Sequence, residues 1–272
     1  VFGRGAVGGL GIGVVTFNRP SRLKQTLEAV ARHAVMPYHG IVADDGSSDE
    51  THAWLIEAGI PFVTGSNRGV AWNKNRALFY LGVVLACDWV IILEDDCSPI
   101  LDGWELPIVA AIERYGHIGC IDREADMRDL RHVPPATPSR PYACSEMSAQ
   151  CNGYSREALN VVGFMDSRFG RYGHEHVEHT ARLIRAGYGG EVNQNGQQWY
   201  VIDAGIKMHP EPSWGSSASI SQNAVVAANI AGDPIHRWPW TNDEDMREFR
   251  REQQNVTPRS VSGFPFTKGT GS

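Results

Sequence analysis

Residues 88–100 read DWVIILEDDCSPI. From Trp89 to Leu93 every side chain is apolar, and three are β-branched, the composition of a strand buried on both faces. The run then ends on three adjacent carboxylates, Glu94, Asp95 and Asp96. Three like charges at the end of a buried strand repel one another and resist desolvation, so the arrangement calls for a cation or a polar ligand.

Outward from this stretch the same alternation repeats. GIGVVTF (11–17) reads as a strand, and NRPSRLKQTLEAVARHA as a helix with Leu23, Leu27, Val30 and Ala31 at helical spacing and Ser21 as N-cap. HGIVADD is a second strand, HAWLIEAG a short helix, IPFVTG a third strand and GVAWNKNRALFYLGVVLA a longer helix leading into residues 88–96. Strands and helices alternating in this way predict an α/β fold with a mostly parallel central sheet flanked by helices. Ligands of such sheets bind beyond the carboxyl ends of the strands. The polar clusters fall there: Thr16 to Arg19, Asp44 to Asp49, and Glu94 to Asp96.

After Trp104 the pattern loosens. WELPIVAAIERYG is a helix, HIGCID a strand, and 122–145 an irregular loop rich in Arg, Asp and Pro. GYSREALNVVGFM is a helix starting at Ser155, EHVEHTARLIRAGYG another, and WYVIDAGIKMH a late strand. NDEDMREFRREQQ reads as a charged helix with a mostly solvated face, and GFPFTKGTGS as a frayed end.

The 272 residues carry a net charge of −6, with 42% hydrophobic and 21% charged residues, which fits a globular chain and disfavours a generic nucleic-acid binder. No apolar run reaches the roughly 18 residues of a membrane span, since Asp88 breaks the longest. Cys87, Cys97, Cys120, Cys144 and Cys151 show no CxxC pair, which fits buried thiols in a reducing compartment, with the cytoplasm as the default location. The chain starts at Val1 rather than Met, so a trimmed start stays open.

Two carboxylates ahead of Gly46 in VADDGSSDET suit a ribose hydroxyl or a base N–H, whereas Ser48 or Asp49 serves as a helix cap. In GSNRGVAWNKNRAL, Asn67, Arg68 and Gly69 form a turn, and Lys74 and Arg76 follow on a helix; this is either a phosphate site or an ordinary basic helix surface. The carboxylates of EDDC suit a hard divalent ion, Mg²⁺ or Mn²⁺, bridging protein and substrate phosphates.

In order and spacing, VVTFNRPSRLKQTLEAV, VADDGSSDET, SNRGVAWNKNRAL and VIILEDDCSP resemble the nucleotide-sugar-binding half of family 2-like glycosyltransferases of the GT-A fold. The resemblance implies a nucleoside diphosphate-sugar donor, with UDP the commonest nucleotide, a divalent metal (Mn²⁺ or Mg²⁺), and a glycan, protein or small-molecule hydroxyl acceptor. It implies residues 1–104 as the donor half of one domain, 105–231 as its acceptor-side half, and 232–272 as a C-terminal extension. By the same resemblance Thr16, Asn18, Arg19, Asp44, Asp45, Asn67 and Arg76 line the donor site. EDD stands for the DxD-type motif, with Asp96 as metal ligand and Glu94 or Asp95 toward ribose or donor sugar.

CNGYSREALNVVGFMDSRFGRYGHEHVEHTARLIRAGY is similar to the family's acceptor-side segment. The usual Glu-Asp pair, whose Asp is the base of inverting members, here reads Glu175-His176, so either residue is a candidate base, and a retaining reaction needs neither. HEHVEH has Glu178 where a zincin needs a second histidine, which disfavours a zinc protease. His209 resembles a C-terminal metal ligand of GT-A enzymes, and SWGSS after it a lid. Trp199, Trp214, Trp238 and Trp240 are sugar platforms or core. Two other classes stay open: a nucleotidyltransferase, disfavoured because TFNRPSRLK lacks glycines, and an inactive binding module that His176 in place of Asp would allow.

Overall fold

The computed structural model describes residues 8–122, 134–145, 148–209, 217–257 and 263–266. Strands β1 (Leu10–Thr16), β2 (Tyr38–Asp44), β3 (Phe62–Thr64) and β4 (Trp89–Glu94) lie parallel in the order β3-β2-β1-β4. They are joined by α1 (Pro20–His33), α2 (Thr51–Glu57) and α3 (Val70–Phe79), the last running on into a π-helical turn at Tyr80–Val84. Residues 90–93 are buried as the composition predicts, with Trp89 half-buried: Ile91 and Leu93 pack with Ile12, Val14 and Leu27 on one face, and Val90 and Ile92 with Ile41, Leu78 and Leu159 on the other.

The sheet continues past β4 with mixed direction. β8 (Cys151–Ser155) is antiparallel to both β4 and β6 (His117–Ile121). Next come β10 (Gly196–Asp203), parallel to β6, and β7 (Tyr142–Cys144), while β9 (Gly190–Asn193) pairs with β10, giving nine strands. A separate two-stranded sheet joins β5 (Cys97–Pro99) to β11 (Ile206–Met208). α4 (Glu105–Tyr115), α5 (Arg156–Val162), α6 (Glu175–Arg185), α7 (Ser217–Ile230) and α8 (Asp243–Gln254) complete the described elements. Ser155 caps α5 as its sequence suggests, accepting the Ala158 N–H at 3.0 Å.

Four local expectations are corrected. Helix α1 starts one residue before the Ser21 cap, with Pro20 in its first turn, where a missing N–H costs nothing. The late strand is two strands, because Gly205 takes a left-handed φ of 66° and redirects the chain from the main sheet to β5. Helix α8 is not simply solvated, since Asp245, Phe249, Glu252 and Gln253 are buried. Near the C-terminus, Phe264 is buried edge-on against Tyr38, so residues 263–266 are anchored rather than frayed. The five cysteines are free thiols, four of them buried. The helices among the described residues include none long and apolar enough to cross a membrane.

The core contains two neutral histidines. His117 and His179 flank Tyr154, with ring centroids 4.7 and 5.6 Å away. His117 Nδ1 donates to the Gly153 carbonyl and His179 Nε2 to the Gly163 carbonyl. Burial lowers the His117 pKa to about 4 and holds His179 well below the ordinary value. Both imidazoles protonate in the unfolded chain at a higher pH than in the folded one. Stability is therefore expected to fall as pH drops from about 6.5 toward 4, by up to about 1.4 kcal/mol per pH unit for each histidine. Urea denaturation at pH 7 and pH 5 measures this, and His117→Gln is expected to flatten the dependence.

Candidate active site

Helix α3 organises the site. Its residues Asn73, Lys74, Asn75 and Arg76 are consecutive, polar and buried, and each serves a different element. Asn73 Nδ2 donates to the Thr16 and Ala43 carbonyls at the ends of β1 and β2. Lys74 Nζ reaches the Glu94 carboxylate at 2.5 Å. Asn75 exchanges two hydrogen bonds with the Met165 backbone, tying α3 to the segment that follows α5. Arg76 binds Glu252 of α8 through two nitrogens at 2.9 and 3.0 Å, and Asp45 at 2.9 Å.

The helix begins at Gly69, whose φ is 91° and whose backbone lies against Arg171. A Cβ there would sit 2.6 Å from the Arg171 nitrogen, and the Val70 N–H donates to the Arg171 carbonyl. Gly69→Ala is expected to destabilise the fold by about 1–3 kcal/mol and to lower turnover by parting the two sides; chemical denaturation and a steady-state assay on the same preparation check both.

The acidic triplet is unevenly compensated. Glu94 is held by Lys74. Asp95 accepts from Thr16 Oγ1 at 2.7 Å and Arg19 Nη1 at 3.2 Å, yet burial lifts its pKa to about 7. Asp96 accepts from Gln150 Nε2 at 2.9 Å, with Arg19 at 3.5 Å. Burial followed by the neighbouring Glu94 raises its pKa as well. Asp96 thus carries a charge that its protein neighbours do not balance, the condition a divalent cation relieves.

His209 is brought to the same place by strand pairing. Met208 pairs with Cys97, and the His209 N–H donates to the Asp96 carbonyl at 2.7 Å. No group of three or more His, Cys, Asp or Glu side chains forms a complete metal cage among the described residues. Strand pairing sets Asp96 and His209 side by side, and a carboxylate so placed would suit an ion of the Mg²⁺ or Mn²⁺ kind, with the histidine as a second candidate ligand.

Glu175 and His176 open α6, and Glu175 acts electrostatically on Lys74. Glu175 is 2% exposed and its Oε2 is buried without a hydrogen-bond partner. Burial pushes its pKa up, but the neighbouring His176 and the Lys74 ammonium outweigh this and hold it below the ordinary glutamate value. His176 Nδ1 lies 3.7 Å from Glu175 Oε1, an ion-pair neighbour rather than a hydrogen-bond donor, and its ring meets the edge of buried Trp199 at 6.1 Å. Burial alone would discharge Lys74; Glu94, then Glu175 and Asp96, keep it an ammonium. Tyr172 feels Glu94, Glu175 and Asp96 together and is half exposed at the rim. Lys74 thus couples Glu175 to Glu94 and Asp96, residues about 80 positions apart in the sequence.

The other expected donor residues divide. Asn18, at a positive φ of 52°, ties the first loop to the second, donating from its N–H to Ser47 Oγ and accepting the Ser48 N–H, both at 2.8 Å. Thr16 and Arg19 hold Asp95, and Asn67 is exposed. Asp44 turns inward, accepting from Ser47 and Thr64. Asp45 accepts the N–H groups of Arg68 and Gly69 and the Arg76 guanidinium. Arg76 is fully buried and its guanidinium is shared among Glu252, Asp45, Asn73 and the Asp44 and Ser66 carbonyls, so in this structure it braces the loops after β2 and β3 and is committed to protein partners. Gln150, Tyr172 and Glu252 are site residues without a local sequence signal, since each acts through partners distant in the chain. Residues 213–216 of SWGSS, with Trp214, lie outside the described residues, and its last serine, Ser217, begins α7.

An α/β sheet ending in an acidic cluster, extended on its far side by an antiparallel strand, defines a GT-A glycosyltransferase architecture. The chain belongs to glycosyl transferase family 2, whose family model matches residues 12–177, more than half its length. Similar solved structures include the mannosyltransferase PcManGT from Pyrobaculum calidifontis in complex with GDP-Man and Mn²⁺, at 20% identity and TM-score 0.53, covering 71% of this chain and 54% of that one. GalNAc-T7 with UDP, GalNAc and Mn²⁺ is similar at 13% identity and TM-score 0.59, covering 90% of this chain and 54% of that one. S. aureus TarS is similar at 14% identity and TM-score 0.56, covering 84% and 40%. The chain thus spans about half the length of the first two. No curated protein sequence matches it.

Proposed function

We propose that the protein transfers a sugar from a nucleoside diphosphate-sugar, with UDP the first nucleotide to test, to a hydroxyl acceptor, with inversion and with Glu175 as the base. The observation that carries this is the Glu175 carboxylate: ionised, buried, with one oxygen unpartnered, and acting on the same Lys74 ammonium as Glu94 and Asp96. A buried carboxylate oxygen without a donor is costly to maintain, and an acceptor hydroxyl would supply that donor.

Asp96 and His209 would hold Mn²⁺ or Mg²⁺. When bound, the ion would supply positive charge to the departing diphosphate. Arg19 and Lys74 add fixed charge around it, while Asn18 and the Arg76-braced Asp45 loop shape the nucleoside end. Glu175 takes the proton from the acceptor hydroxyl as that oxygen attacks the anomeric carbon and the nucleoside diphosphate leaves from the opposite face. His176 and Lys74 keep Glu175 charged for that step.

Nucleoside diphosphate release from a panel of UDP- and GDP-sugars, assayed with Mn²⁺ and with EDTA, tests the reading. Metal-dependent release above the buffer rate supports it. Tight metal-dependent binding of nucleotide with no release from any member, even with hydroxyl acceptors added, would instead favour a binding module on the same fold.

A further inference from the structure

A cavity opens at the end of the sheet away from the acidic triplet. Asp88, just before β4, and Ser155, at the end of β8, line it. Trp89 pairs with Ser155 and Leu93 with Cys151, so the cavity and the acidic triplet occupy opposite ends of β4, about 17 Å apart. Its volume is about 490 Å³, within the range of small-molecule sites.

Three tyrosines from three elements meet there: Tyr115 at the end of α4, Tyr188 after α6, and Tyr200 on β10. Tyr115 and Tyr200 sit edge to face at 5.0 Å, and the Arg114 guanidinium lies 5.6 Å from the Tyr115 ring centre. The Tyr188 hydroxyl donates to Glu157 at 3.3 Å. Gly116 lets the Tyr188 ring close on the backbone, since a Cβ there would come within 2.3 Å of it.

The charges of the lining nearly cancel. Arg156 is paired with Asp88 at 2.7 Å, which leaves Arg114 to set against Glu113 and Glu157. That balance does not select an anion, and so many charged groups do not suit an apolar ligand. Aromatic rings flanked by carboxylates and a guanidinium suit a neutral polyhydroxylated ligand, whose C–H faces pack on rings and whose hydroxyls take charge-assisted hydrogen bonds.

We propose that this cavity is a non-catalytic saccharide-binding site, separate from the transfer site. It rests on the lining alone and does not require that Glu175 act as a base. The test is saturation-transfer NMR on the full chain with maltotriose, mannotriose and N,N′,N″-triacetylchitotriose as neutral probes and inorganic phosphate as competitor. At least one probe is expected to bind with a Kd of about 1 mM, weakened at least tenfold by Arg114→Ala and by Tyr200→Ala and unaltered by Glu175→Gln. Arg114 is exposed, so that variant carries the test if Tyr200→Ala fails to fold. Saturation of no probe, saturation that survives both cavity variants, or displacement by phosphate would each overturn the proposal. Cavity-dependent binding in a protein that shows no sugar transfer would still support it.

Discussion

Glu175→Gln is expected to lower turnover about 10³-fold while leaving nucleotide affinity unchanged. The amide keeps the shape of the side chain but cannot take a proton. Glu175 and His176 are adjacent at the start of α6, and the two candidates separate by pH profile. Because His176 and Lys74 outweigh burial and hold the Glu175 pKa below the ordinary glutamate value, the part of the acid limb that is lost in Glu175→Gln should lie below the ordinary glutamate range. His176→Ala removes the larger of those two supports, so its acid limb should move upward with the plateau rate largely retained. Loss of turnover in His176→Ala, with activity kept in Glu175→Gln, would reassign the base to the histidine.

Glu252→Ala is expected to destabilise the fold by about 3–5 kcal/mol, since it strands a buried guanidinium. Glu252 meets Arg76 through both oxygens and also accepts the Trp72 indole N–H at 3.0 Å. Arg76 in turn holds Asp45, which orders the Arg68 and Gly69 N–H groups. A lowering of Tm on the order of 10 °C would follow. Glu252→Gln keeps several of these hydrogen bonds and should lose less. If Glu252→Ala melts within about 1 °C of wild type, the bracing role given to α8 is wrong.

The parts of this molecule legible in its sequence are those that short-range patterns encode. The apolar run 89–93 announces a strand buried on both faces. The carboxylates that follow announce a site, because clustered charge at the end of such a strand is costly unless a ligand offsets it. Polar clusters after β1, β2 and β4 lie at one edge of the sheet, as a parallel arrangement requires. What the sequence hides depends on distant partners. Lys74 and Arg76 look like an ordinary basic helix surface until Glu94 and Glu252, 20 and 176 positions away, are placed against them. Asp45 has the type and position of a ligand contact, yet its carboxylate is occupied by a loop closing 23 and 24 residues later. The solvated look of α8 arises because its buried charges, Asp245 and Glu252, match Arg68 and Arg76 at and after the start of α3 rather than an apolar stripe.

The central claim is that Asp96 and its neighbours hold a metal and a nucleoside diphosphate. Calorimetric titration of UDP and of GDP into wild type and Asp96→Ala, each with Mn²⁺ and with EDTA, tests it most directly. The account predicts that one of the two nucleotides binds wild type only with Mn²⁺ present, and that Asp96→Ala abolishes that binding while melting near the wild-type temperature. Binding of neither nucleotide, or equal binding in EDTA and in the Asp96→Ala protein, would contradict it.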